Sequence, residues 1–190
     1  EEQARLLAAK VPEEAGRLIG HAALVARAAE YCKHLAENWR GSSREGDTYT
    51  PVDLLLLVEE VITVALVGRK PVRIIGRPGA PVLGSRFELM RVIQNLLKNS
   101  IESGATDVVV AFGDAEKEVV VTVSDNGPGM DVEQVNRALK GGYTSKRDGT
   151  GLGLSICRHV IASHGGNFSL LSNIGSGTSV AISLPKIVLK

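Results

Sequence analysis

The chain has 190 residues, a formal net charge of +1 and 44% hydrophobic residues, room for one domain with a small appendage and enough apolar material for a core. The near-neutral charge gives no electrostatic case for nucleic acid or a membrane surface, and two cysteines are too few for a disulfide framework or a zinc site. No apolar run approaches the roughly 18 residues of a membrane span.

The chain starts at Glu1 without a secretory leader or an initiator Met. It is therefore expected to be a fragment of a longer protein, cytoplasmic in this portion whether or not the parent is membrane-anchored. Pro12, followed by Glu13 and Glu14, reads as a helix start. Leu18, Ala22, Val25, Ala29, Cys32, Ala36 and Trp39 then recur at alternating steps of four and three, the a/d seam of a coiled coil or bundle. A single amphipathic helix packed on its own domain is the open alternative. Cys32 and Cys157 read as small buried hydrophobes. The polar stretch GSSREGDTYT ends this helical segment at residue 41, and 42–50 is a linker. One domain is expected over 51–190.

Thr50-Pro51-Val52-Asp53 is expected to open a helix to about Leu66. Pro71–Ile75 and Ala80–Leu83 read as short strands. Ser85–Ser103 reads as a helix with Leu89, Val92, Ile93, Leu96, Leu97 and Ile101 on its apolar face. Ser85 is its N-cap and Glu88 completes a capping box. Asn95, Asn99 and Glu102 cluster on another side of this helix. Two amides one turn apart offer oxygens to a hard cation, and magnesium is usually held by one or two protein ligands plus phosphates and water.

Asp107–Phe112 and Glu118–Ser124 are strand-like, with β-branched runs. Asp131–Leu139 and Leu154–Ser163 have helical spacing, and His164 ends the latter before a glycine C-cap. Asn167–Ser172 and Thr178–Leu184 complete a hairpin. The elements give an α/β (α+β) two-layer sandwich, a mixed sheet of about five strands with three helices on one face.

Between the strand ending near Asp125 and the helix beginning near Leu154 lies a long, glycine-rich polar stretch. Loops that long inside compact domains are usually functional or disordered. Asp125 sits at a strand end, followed by Gly127, Pro128 and Gly129. A carboxylate there only accepts hydrogen bonds and suits the exocyclic amine of adenine. Glycines let a flat ligand lie close to the backbone. At the other end, Gly149-Thr150-Gly151-Leu152-Gly153 opens a helix, whose N–H groups favour phosphate. The pattern fits neither G-x-x-x-x-G-K-[ST] nor G-x-G-x-x-G, because residue 154 is Leu.

Asn95-Leu96-Leu97-Lys98-Asn99-Ser100-Ile101-Glu102 resembles the asparagine box of sensor histidine kinases. Asp125-Asn126-Gly127-Pro128-Gly129-Met130 resembles their first glycine box. Tyr143-Thr144-Ser145-Lys146 with Gly149-Thr150-Gly151-Leu152-Gly153-Leu154 resembles their second. Gly175-Ser176-Gly177-Thr178, before a strand ending Leu184-Pro185, is similar to their last strand pair. The lid wording and the asparagine box look most like the nitrogen-regulation branch. The ordered set covers about residues 50–190.

The resemblance implies a Bergerat-type ATP-binding fold preceded by a helical dimerisation segment over 1–41. It implies ATP and Mg2+ as cofactors, a homodimer, and a response regulator receiver domain as partner, with neither nucleic acid nor membrane contacted. Asn99 matches the magnesium asparagine and Asn95 its partner one turn earlier. Asp125 matches the adenine-reading aspartate, walled by Gly127, Gly129 and Met130. Thr178 matches a threonine beside it, able to hold the carboxylate or a bridging water. Thr150, Gly151, Leu152, Gly153 and Leu154 belong to the phosphate end, and a flexible lid hinge at Gly141-Gly142 precedes it. Lys146 matches a lid lysine that meets the terminal phosphate, or is a solvated loop charge. Lys98 is open in the same way.

The phosphoacceptor is absent from the motif set. In the family it is a His followed directly by an acidic residue, but Ala22, Leu35, Val160 and Gly165 follow His21, His34, His159 and His164. Three function classes remain: phosphotransfer to a histidine, ATP hydrolysis as a conformational switch, and nucleotide binding without chemistry. Switch ATPases place a Glu one turn before the magnesium asparagine to activate water. Residue 95 is Asn, which cannot act as a base and favours the kinase.

Overall fold

A computed structural model describes residues 49–65, 72–141 and 151–187. The chain divides between Gly46 and Asp47, and everything described lies on the C-terminal side of that division. The heptad seam, Cys32, His21 and His34 lie outside the described residues, as do residues 142–150, which include Lys146 and Thr150.

The described elements are β1 (Thr50–Val52), α1 (Leu54–Ala65), β2 (Val72–Ile75), β3 (Val82–Gly84), α2 (Arg86–Glu102), β4 (Val108–Asp114), β5 (Glu118–Asp125), α3 (Val132–Lys140), α4 (Gly153–Ser163), β6 (Asn167–Asn173) and β7 (Gly177–Pro185). Five strands form one mixed sheet in the order β2-β4-β5-β7-β6. The β2–β4 pair is parallel and the remaining pairs are antiparallel. This is the two-layer α/β sandwich expected from the sequence.

The start of the domain departs from expectation. Thr50–Val52 is a strand, paired antiparallel with β3 so that Thr50 faces Gly84 and Val52 faces Val82. The helix begins only at Leu54. Asp53 supplies the reason, since its Oδ1 accepts from the N–H groups of Leu55 and Leu56 at 2.9 and 3.1 Å. That is an N-cap, and the residues before a cap are extended. β3 correspondingly belongs to this small two-stranded ribbon and not to the main sheet.

Alternation decides what each strand buries. Val119, Val121 and Val123 of β5 are buried, as are Val108, Val110 and Phe112 of β4 and Val180, Ile182 and Leu184 of β7. These residues share one face by the period-2 rule. Against them α2 packs Leu89, Val92, Ile93, Leu96 and Leu97 in a single core with Cys157, Val160 and Ile161 of α4. Each such side chain contributes about 1.5–3 kcal/mol relative to exposure. At the sheet's edge, Arg73 of β2 makes a bidentate pair with Asp107 at 3.0 and 2.5 Å. The hydrogen bonds from Arg73 hold the Asp107 carboxyl below its ordinary range.

His164 ties α4 to α2. Ser85 caps α2 by accepting from the Glu88 N–H at 3.3 Å. The Ser85 N–H donates to His164 Nε2 at 3.0 Å, a partner the local sequence pattern did not indicate. His164 Nδ1 donates to the Val160 carbonyl at 2.8 Å, which fixes the neutral tautomer with its hydrogen on Nδ1. Tyr49 stacks on the ring at 4.9 Å between centroids. Gly165 follows with φ 71°, the left-handed helix end that glycine permits.

Candidate functional site: a pocket between α2, α4 and the end of β5

The core-facing row of β5 runs Val119, Val121, Val123 and then Asp125, so the strand delivers a carboxylate where its apolar row stops. Asp125 Oδ1 accepts from the Gly127 N–H at 2.9 Å, an Asx turn that fixes the carboxylate's direction. Thr178 of β7 lies directly opposite Asp125, and Ser172 of β6 lies directly opposite Thr178. The three polar residues make one row across three strands.

The glycines after Asp125 are required by close approach. A Cβ on Gly127 would meet Ser103 Oγ, just past α2, at 2.5 Å. Gly129 has φ 70°, and a Cβ there would overlap the Asn173 carbonyl oxygen. The Gly175 N–H donates to the Pro128 carbonyl at 2.7 Å. The glycine box is thus wedged between the C-terminal end of α2 and the β6–β7 turn. Asn126 locks the other side, with Oδ1 accepting from the N–H groups of Thr106 and Asp107 at 2.8 and 2.9 Å.

Asn95 and Asn99 project from α2 toward the first residue of α4. A Cβ on Gly153 would lie 3.8 Å from Asn99 Nδ2 and 4.0 Å from Asn95 Cγ. Cys157, one turn into α4, donates its thiol to the Val92 carbonyl of α2 at 3.8 Å. Burial pushes the Cys157 thiol up to about 12. Leu152 is the N-cap of α4 and supplies no side-chain cap bond. No acidic residue occupies the first turn of that helix, so its positive dipole end is not offset by a carboxylate of its own. Gly151 has φ 70°. Leu154 and Met130 are half-buried against the core. Lys98 is exposed and sits 3.8 Å from Glu102, one turn on, as a helix-surface lysine does.

The sequence profile described as histidine kinase-, DNA gyrase B- and HSP90-like ATPase matches residues 84–187. That stretch is more than half of the chain and spans α2 to the end of β7. The chain belongs to this ATPase family. Within it, the chain is a histidine kinase-type ATP-binding domain of the sensor-kinase kind. It is 31% identical to the sensor histidine kinase GtrS of Pseudomonas aeruginosa over 141 residues, 73% of this chain and 29% of GtrS. It is 34% identical to sporulation kinase D of Bacillus subtilis over 103 residues, 53% of this chain and 20% of that kinase. The chain therefore spans less than a third of the length of these relatives. The catalytic domain of histidine kinase ThkA superposes with a TM-score of 0.61 at 28% identity, over 73% of this chain and 95% of ThkA's. The mycobacterial sensor histidine kinase MprB shares the fold, with a TM-score of 0.65 at 22% identity, over 74% of this chain and 99% of that one.

In this histidine kinase-type domain three residues have roles that the sequence did not indicate. Ser172 and Asn126 hold the glycine box by side-chain hydrogen bonds, and His164 joins the two helices that carry the site. Only Asn126 had a local signal, an amide directly after a strand end. Among the described residues no helix is long and apolar enough to cross a membrane, and no group of three or more His, Cys, Asp or Glu is placed to hold a metal ion. A cation in this pocket would need amide oxygens, phosphate and water. The donor set of Asn95 and Asn99 fits a hard ion bound in that way.

Proposed function

We propose that this chain is the ATP-presenting portion of a sensor histidine kinase, which passes the γ-phosphoryl group of ATP to a histidine on a dimerisation helix for relay to a receiver domain. In that step an imidazole nitrogen forms a bond to the γ-phosphorus. The bond from phosphorus to the β–γ bridging oxygen breaks, and ADP leaves with the electron pair.

The observation that carries the reading is the pair of amides on α2 against the start of α4. Phosphoryl transfer needs positioning and charge stabilisation more than covalent help from the protein. Asp125 accepts from the base at one end, and the first turn of α4 donates to phosphate at the other. Asn95 and Asn99 would hold magnesium, whose charge offsets that of the phosphates. Residue 95 carries no carboxylate to activate water, so the site supports transfer to a supplied acceptor over hydrolysis. Glu102, next along the same helix, pairs with Lys98.

The acceptor must come from elsewhere. His159 is exposed on α4, His164 is buried, and neither precedes an acidic residue. The chain is expected to bind MgATP but not to label itself with γ-labelled ATP. A supplied helix bearing a His-acidic pair restores acid-labile, base-stable label. Steady release of inorganic phosphate without such label would favour the switch ATPase.

Asp125→Asn tests the pocket itself. It removes the charge and sets an N–H donor near the base's own donor, a loss of roughly 1.5–3 kcal/mol. Titration calorimetry should show the dissociation constant rising about 10- to 150-fold. An unchanged constant would overturn the assignment of the base site.

A further inference from the structure

We infer that Ser172 is a specificity-determining residue of the pocket: it commits the Thr178 hydroxyl hydrogen away from the ligand, so that this wall accepts a 6-amino purine and rejects a 6-oxo purine. The inference rests on the ATP reading above and adds to it a residue that never touches the base.

A serine hydroxyl has one hydrogen to donate and two lone pairs to accept with. Ser172 Oγ lies 2.8 Å from the Gly177 carbonyl oxygen. That oxygen only accepts, so the serine hydrogen points there. The Met130 N–H donates to Ser172 Oγ at 2.9 Å, which takes one lone pair. Thr178 Oγ1 lies 2.9 Å from Ser172 Oγ. With the serine hydrogen already placed, Thr178 must be the donor in that contact. All three bonding positions of Ser172 are then filled.

The consequence falls on Thr178. Its only hydroxyl hydrogen is committed to Ser172, and its oxygen keeps lone pairs alone for anything in the pocket. Asp125, directly opposite on β5, is a carboxylate and likewise only accepts. Cβ atoms so paired stand about 5 Å apart, close enough to read one edge of a base, directly or through a water. Thr178 therefore does not donate to Asp125. Both groups call for donors. An adenine 6-amino group, with a water beside it, supplies them. The O6 of a 6-oxo purine would face two acceptors and lose its own partner.

Ser172 also holds the wall's shape. Its bonds reach Met130 at the end of the glycine box and Gly177 at the start of β7. A variant that merely loosened this region would weaken every nucleotide alike. A variant that freed the Thr178 hydrogen would change the ratio between nucleotides.

The experiment measures dissociation constants of MgATP and MgITP for the whole 190-residue chain; the two nucleotides differ at the 6-position and the adjoining ring nitrogen. The wild-type chain is expected to prefer ATP by on the order of 100-fold, the range for leaving a polar group unpaired. In Ser172→Ala the threonine hydrogen can turn into the pocket and meet O6, and the preference falls to about tenfold or less. Ser172→Thr keeps the hydroxyl and keeps the preference. Thr178→Val removes the lone pairs and also lowers it, which provides a test should Ser172→Ala not fold. Equal losses for both nucleotides in Ser172→Ala, or an unchanged ratio in Thr178→Val, would overturn the inference, as would a wild-type ratio near one. Asp125→Asn separates the two levels. If it weakens ATP binding about 10- to 150-fold while the serine and threonine variants leave the ratio untouched, the ATP reading stands and the role of Ser172 falls. If the wild-type chain binds neither nucleotide, both fall.

Discussion

Replacing His164 by phenylalanine should cost stability through a single backbone group. The ring is fully buried and stacks on Tyr49, and phenylalanine fills nearly the same space. What it cannot do is hydrogen-bond. The Val160 carbonyl loses the Nδ1 donor but still accepts from the His164 N–H at 3.2 Å, so little is lost there. The Ser85 N–H loses its Nε2 acceptor, and Ser85 is only 2% exposed, so water cannot replace the ring nitrogen. Depriving a buried donor of its acceptor costs about 1–3 kcal/mol. His164→Ala adds a cavity of ring size, and the total should reach roughly 3–5 kcal/mol, as for other buried rings cut to alanine. Urea unfolding followed by far-ultraviolet circular dichroism reads both, with the slope against urea expected to stay constant. A phenylalanine variant as stable as the wild type would refute the claim that this bond secures the start of α2.

Other outcomes follow from single features. Gly129→Ala and Gly175→Ala both place a side chain at positive φ, but a Cβ overlaps the Asn173 carbonyl only at Gly129 and meets nothing within 4 Å at Gly175. Both should lose about 1–2 kcal/mol to backbone strain, and Gly129→Ala should fall further in thermal unfolding; equal losses would show that the wedge against β6 is not tight. Cys157, its thiol pushed up to about 12 by burial, should resist iodoacetamide at mildly alkaline pH, as peptide mass mapping would reveal. The neutral thiol is the form favoured by folding, so stability should be intact below about pH 9, where the unfolded thiol ionises, and decline toward pH 12 by at most about 1.4 kcal/mol per unit; Cys157→Ala should flatten that decline. Val25→Asp should convert a dimer to a monomer by placing an unpaired charge in the heptad seam, and light scattering that finds the unaltered chain monomeric at high concentration would leave the single packed helix.

Apart from the start of the domain, the order of elements was readable in the amino acids alone, and so were the residues of the proposed pocket. Alternation in Val119–Val123 and helical spacing in Leu89–Leu97 are local patterns, and burial of one face followed directly from them. Asp125, the glycines and the two asparagines were legible because each sits at a recurring place in its own element. The start of the domain was misread because Thr50-Pro51-Val52 has no pairing signal of its own; only the partner strand β3, about thirty residues on, makes it extended. The roles of Ser172 and His164 were invisible for the same reason. A serine in a strand and a histidine before two glycines look ordinary until the fold sets Ser172 against Thr178, Met130 and Gly177, and sets His164 against a backbone N–H 79 residues away. Hydrogen-bond direction depends on which donors and acceptors meet, and those meetings exist only once the chain is folded.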